Sequence, residues 1–170
     1  SAEDAPKLRP YLRLAEQLGG FAGQITEGGL SQVTIEYEGH VAALNLRPLT
    51  AVVLKGLLST QIETVNMVNA PIIARERDIK VIESRSDQSS EYQTAISVTV
   101  EGADGRRTVT GTLFGDKPRV VSIDGVPTEA ELTPHMLLIE NLDKPGFIGS
   151  LGRTLGDALG WSKPYTKVRD

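Results

Sequence analysis

Apolar positions change period several times along this chain, and each change marks a new element. Over residues 6–25, Leu8, Tyr11, Leu12, Leu14, Ala15, Leu18, Phe21 and Ala22 recur at three- and four-residue spacing, which predicts an amphipathic helix weakened midway by Gly19-Gly20. Glu27-Gly28-Gly29 reads as a turn. Val33, Ile35 and Tyr37 then alternate with Thr34, Glu36 and Glu38, the period of a half-buried strand. Gly39-His40 reads as a hairpin turn into Val41–Leu44. A helix is expected over 47–62, with Pro48 in its first turn and Leu49, Val52, Val53, Leu57 and Leu58 on its apolar face. A second is expected over 65–78, capped by Asn69 with Pro71 just inside the start.

Strand signals dominate the next segment. Lys80–Glu83 reads as a short strand and 84–90 as a polar loop. Residues 95–100, 108–114 and 119–123 form an antiparallel set, joined by turns at 102–105 and 115–118 and closed by Asp124-Gly125. Residues 126–134 have linker character. Beyond them, 135–158 read as strand, Pro-Gly turn and helix. The fold class expected is α+β, a mixed, largely antiparallel sheet with helices on one face.

Length and composition narrow the function. The chain has 170 residues, enough for one full domain and part of a second. Net charge is −4 with no long basic run, which argues against nucleic acid or an anionic membrane as partner. The start, SAEDAPKLRP, has no secretory leader pattern, and no apolar stretch is long enough to span a bilayer. The absence of cysteine excludes disulfides, zinc–thiolate sites and thiol nucleophiles, and suits a cytoplasmic protein. His40 and His135 are the only histidines, and neither a dinucleotide fingerprint, a P-loop nor a zinc-protease motif is present. No catalytic or metal-ligating set is assigned.

The run Leu137-Leu138-Ile139-Glu140-Asn141-Leu142-Asp143-Lys144-Pro145-Gly146-Phe147-Ile148-Gly149 carries the most pointed chemistry. A strand-to-helix junction gathers backbone N–H groups with Asn141 and Asp143. Asp143 can accept an amine and the helix start can accept a carboxylate, which together suit a free amino acid. The plain alternative is a well-capped turn with no ligand. Among the cations, Arg106 and Arg107 follow the Asp104-Gly105 turn. Arg119 opens a strand, where a solvated edge charge is the default reading.

Four segments, in order, resemble the long-form D-3-phosphoglycerate dehydrogenase family. They are Lys7–Gln24, VNMVNAPIIARERDI at 65–79, VTGTLFGDKPRVVSIDG at 109–125, and HMLLIENLDKPGFIG at 135–149. The resemblance implies an intervening, anion-sensing domain over 1–130 and the start of an ACT domain, a ferredoxin-like amino-acid sensor, over 134–158. Residues 159–170 stay unassigned. It implies a regulatory and oligomerising part of an NAD-dependent oxidoreductase of L-serine biosynthesis. The NAD-binding and catalytic domains would precede residue 1, so no cofactor is expected in this chain, NAD belonging to the parent enzyme, and no activity alone.

The same resemblance implies effector sites. Asn141, Asp143, Gly146 and Ile148 would hold L-serine, although the strand that completes such a site in the family has no match in 159–165. Arg119 matches an anion-binding position, with Lys117, Arg106 and Arg107 as further candidates for phosphate or 3-phosphoglycerate. Pro127 and Glu131 stand where the family supplies other contacts. Two other classes remain beside this reading. One is a stand-alone sensing or subunit-assembly domain. The other is the related region of iron–sulfur L-serine dehydratases, whose serine-rich signature is missing here.

Overall fold

The computed structural model describes residues 4–88 and 91–131. In chain order the elements are α1 (Ala5–Ile25), β1 (Leu30–Gly39), a 3₁₀ turn (His40–Ala43), α2 (Leu46–Leu58), α3 (Ala70–Glu76), β2 (Lys80–Ser86), β3 (Thr94–Gly102), β4 (Gly105–Phe114), β5 (Lys117–Ile123) and β6 (Val126–Ala130). The strands form one six-stranded sheet in the order β2-β1-β3-β4-β5-β6. Only β1 and β2 pair in parallel; the other neighbours are antiparallel. A parallel pair needs a long crossover, and the segment holding α2 and α3 supplies it. The architecture is the expected α+β sheet with a helical layer.

One face of the sheet carries the core. Val33, Ile35 and Tyr37 of β1 lie beside Val100, Val98 and Ile96 of β3, and all six are fully buried. Leu14 and Leu18 of α1 rest over Gly111 of β4. A β-carbon there would come within 2.8 Å of one leucine methyl and 3.0 Å of the other, so the missing side chain makes room for the helix. The other face is polar. Ser97 bonds Thr110 at 2.8 Å, and Thr99 bonds Thr108 at 3.0 Å.

Helix α1 continues through Gly19-Gly20 because those glycines form the contact with α2. Gly19 faces the Val53 backbone, Gly23 faces the Leu57 carbonyl, and Gly56 of α2 faces the Glu16 carbonyl and the Gly20 amide. The helices approach this closely because a glycine stands on one side of each of these contacts. The glycines thus trade helix propensity for an intimate interface. Lys55 and Glu16 pair at 2.7 Å on its exposed rim.

Several sequence expectations need correction. The chain after Gly39 enters a 3₁₀ turn, not a hairpin strand. Gly39 has φ of 74°, with its α-carbon packed against the Gln93 carbonyl. Helix α2 ends at Leu58, not Ile62. Strand β2 extends to Ser86, into the expected loop, because β1 offers a partner as far as Glu38. The expected linker opens as β6, which pairs with β5 from Ile123↔Val126 to Val120↔Ala130. The ACT-like segment, 134–158, lies outside the described residues.

Helix α3 runs Ala70–Glu76 rather than 65–78, with Asn69 at the N-cap position and Pro71 just inside, as expected. The Asn69 side chain makes no helix-capping bond. Asn66 does that work: its Oδ1 accepts from the amides of Val68 and Asn69, both at 2.9 Å. Asn69 Oδ1 reciprocates, accepting from the Asn66 amide at 2.7 Å. This is a capping box built from two asparagines. The Ala70 amide already bonds the Asn66 carbonyl at 2.9 Å, so the helical turn starts before α3 itself. Pro71, with no N–H, interrupts the ladder.

Candidate functional site

The candidate anion-binding cations sit at opposite ends of β4. At one end, the β3–β4 hairpin turns through Ala103-Asp104 between paired Gly102 and Gly105, leaving Arg106 and Arg107 at the start of β4. At the other, the β4–β5 hairpin turns through Gly115-Asp116 between paired Phe114 and Lys117. Gly115 has φ of 61°, as the first central residue of a two-residue II′ loop requires. Arg119 lies directly opposite Thr112. Arg107 and Thr112 are five residues apart on one strand, about 17 Å at the rise of extended chain. Lys117 and Arg119 therefore share one end of the sheet, and Arg106 and Arg107 the other.

Arg107 is already engaged. Its Nε donates to Asp124 Oδ2 at 2.7 Å, and the Thr108 amide donates to Asp124 Oδ1 at 2.8 Å. Asp124 and Gly125 both have positive φ, 50° and 79°, which gives the I′ turn that Asp-Gly favours. The guanidinium thus braces the β5–β6 turn. Arg106 is exposed, opposite Glu101, whose carboxylate accepts from Gln32 Nε2 at 2.6 Å.

Arg119 is less committed. Its nearest carboxylate is Glu131, 3.7 Å away, and the two side chains are 37% and 60% exposed. Such an exposed, long pair contributes about 0–1 kcal/mol and competes poorly with an entering anion. Lys117 is exposed, as is Phe114 across the hairpin. The β4–β5 end thus offers two cations, at the hairpin and two residues into β5. Pro127 sits in β6 opposite Ser122.

Asn141, Asp143, Gly146 and Ile148 lie outside the described residues, as does His135. His40 is exposed at the start of the 3₁₀ turn. Among the described residues no group of three or more His, Asp or Glu side chains could hold a metal ion, and no helix is long and apolar enough to cross a membrane.

Two polar centres inside the fold were not expected from the sequence. The Tyr37 hydroxyl bonds the Thr50 hydroxyl at 2.7 Å and ties β1 to α2. Burial pushes its phenol well above the usual range, the Thr50 bond opposes that, and nearby Glu83 adds to it. Thr94 Oγ1 accepts from the Tyr11 hydroxyl and the Val41 amide, both at 3.1 Å, joining α1, the 3₁₀ turn and β3. A threonine opening a strand and two tyrosines at core-facing spacing were the available hints, but only the fold brings them together.

The class is therefore an α+β domain: a mixed sheet with a glycine-packed helical layer on one face and cations at its hairpin ends. Residues 7–124 match the family described as the D-3-phosphoglycerate dehydrogenase intervening domain, and the chain belongs to that family. It is similar to the D-3-phosphoglycerate dehydrogenases of Methanocaldococcus jannaschii (37% identical over 158 residues, 91% of this chain) and Synechocystis (38% over 153 residues, 88%). That of Bacillus subtilis is 36% identical over 159 residues, again 91% of this chain. The chain spans about 30% of the length of these relatives: 30%, 28% and 30%.

Proposed function

We propose that this chain is the regulatory and subunit-assembling part of an NAD-dependent D-3-phosphoglycerate dehydrogenase of L-serine biosynthesis, working in the cytoplasm. The observation that carries the reading is the family match over 7–124, on a domain whose chemistry-bearing groups are cations at hairpin ends. In this reading the oxidation of 3-phosphoglycerate and the binding of NAD belong to other domains of the parent enzyme. The chain adds a coupling free energy, with effectors favouring one arrangement of subunits over another.

The effectors proposed are L-serine, at Asn141, Asp143, Gly146 and Ile148, and phosphate or 3-phosphoglycerate, at Arg119 and Lys117. Geometry favours these two cations over Arg106 and Arg107, since Asp124 holds Arg107 and the sheet separates the pairs. A ligand that binds only the native state raises its melting temperature. Titration of the chain with serine, phosphate, 3-phosphoglycerate and NAD should therefore give shifts with the first three and none with NAD. A shift with NAD, or with none of the four, contradicts the reading.

A further inference from the structure

The two edges of the described sheet differ in a way that bears on assembly. β6 has five residues, includes Pro127, and departs from regular register against β5. All three features discourage further pairing. β2 has seven residues, no proline or glycine, and unbroken register along β1. It ends the sheet order, so among the described residues its outer side pairs with no strand. Helix α3 leads into β2. Val68, in the turn ahead of α3, and Ile72, in its first turn, are 81% and 54% exposed beside Met67 at 43%. The Asn66–Asn69 capping box fixes the turn that displays them.

We infer that a second copy of this chain pairs with this edge, β2 against β2, antiparallel, about a two-fold axis through Ser84. This deepens the assembly half of the proposed function and rests on it. The argument is charge. Glu83 and Arg85 project from the same side of β2. A two-fold axis normal to the sheet makes the paired strands antiparallel and keeps both helical layers on one side. An axis through Glu83 or Arg85 would set like charges face to face. An axis through Ile82 would oppose Glu83 to Val81. An axis through Ser84 opposes Glu83 to the second copy's Arg85, twice over, and Ile82 to Ser86. Opposite charges across a strand pair stabilise it and like charges oppose it. The charges that would keep an unrelated strand off this edge therefore select one register of self-pairing. The same axis places the two α3 helices, with the exposed apolar residues at their starts, on a common face.

The chain has no cysteine, so one introduced thiol reports the axis. Ser84→Cys should yield a disulfide-linked dimer on mild oxidation, because self-opposed residues on a two-fold axis can bring their β-carbons to about 4.5 Å, within disulfide reach. Ile82→Cys or Ser86→Cys alone should not. In light scattering, Glu83→Arg should weaken the dimer about tenfold or more, and adding Arg85→Glu should restore it. Far-UV circular dichroism of each variant separates lost pairing from lost folding. A monomeric parent chain, cross-linking through Ile82→Cys as efficient as through Ser84→Cys, or a Glu83→Arg dimer as tight as the parent overturns the proposal. A dimer that survives Glu83→Arg sinks β2 pairing alone, since effector titration tests the regulatory reading separately.

Discussion

Gly19 lies so close to Val53 that a β-carbon on it would stand 2.1 Å from the Val53 carbonyl oxygen. At Gly20, one residue on, the nearest atom would be 3.9 Å away. The two neighbours look identical in sequence and do opposite things. Gly19→Ala should destabilise the fold by about 1–3 kcal/mol, because backbone cannot yield as a side chain can. Gly20→Ala should stabilise it by about 0.5–1 kcal/mol through helix propensity. Urea denaturation of both variants checks the sign. A Gly19→Ala protein as stable as the parent would refute the tight α1–α2 contact.

The Asn66–Asn69 pair should behave as a unit. Asn66→Ala removes the acceptor for two amides and should cost about 1 kcal/mol, within the usual range for a lost cap. Asn66→Asp keeps the acceptor and adds favourable charge at the helix start, so it should cost much less. A double-mutant cycle with Asn69→Ala should show a coupling of about 0.5 kcal/mol or more, since each side chain caps the other's backbone. Additive losses would dissolve the box.

Tyr37 sets an alkaline limit. Its phenol titrates above the usual value in the fold because burial disfavours the phenolate. The unfolded chain therefore gives up this proton first, near pH 10. Below that pH the contribution is fully present. Above it the unfolded state binds fewer protons, and stability should fall by about 1.4 kcal/mol per pH unit until the folded phenol also titrates. Tyr37→Phe should lose about 1 kcal/mol at neutral pH, where the Thr50 bond is gone, and should flatten the alkaline slope. An unchanged slope would contradict this assignment.

Asp124 should prove structural. It accepts from Arg107 and the Thr108 amide and holds φ of 50°. Asp124→Gly relieves the backbone but loses both bonds, and Asp124→Ala loses the bonds and adds strain. Both should destabilise, Ala by more, in total about 1–3 kcal/mol. Thermal denaturation ranks the two. If Ala proves no worse than Gly, the left-handed turn is not what selects aspartate here.

The sequence was most legible where one face meets a core and the other does not. Strands β1, β3, β4 and β5 follow from alternation, and α1 follows from its stripe despite Gly19-Gly20. What stayed hidden depends on partners far along the chain. Val126–Ala130 alternates weakly and holds a proline, so only its pairing with β5 identifies it as a strand. Ser84–Ser86 look like loop until β1 is beside them. Pro71 located the N-cap position at Asn69 correctly, but the capping acceptor is Asn66, three residues earlier, which only the folded turn reveals. Arg106, Arg107, Lys117 and Arg119 fall within fourteen residues of chain, but nearness in sequence does not say whether they converge. The antiparallel turnover of β4 and β5 sets them at two ends.

Phosphate titration of the melting temperature is the sharpest test of the effector site proposed at the β4–β5 end. The melting temperature should rise with phosphate and with 3-phosphoglycerate, equivalent to about 2.7 kcal/mol at a hundredfold excess over the dissociation constant. The rise should vanish in Arg119→Ala and persist in Arg107→Ala, whose own melting temperature starts lower. A rise lost in Arg107→Ala but kept in Arg119→Ala would place the site at the wrong end of the sheet. No rise in the parent chain would remove the anion-sensing function altogether.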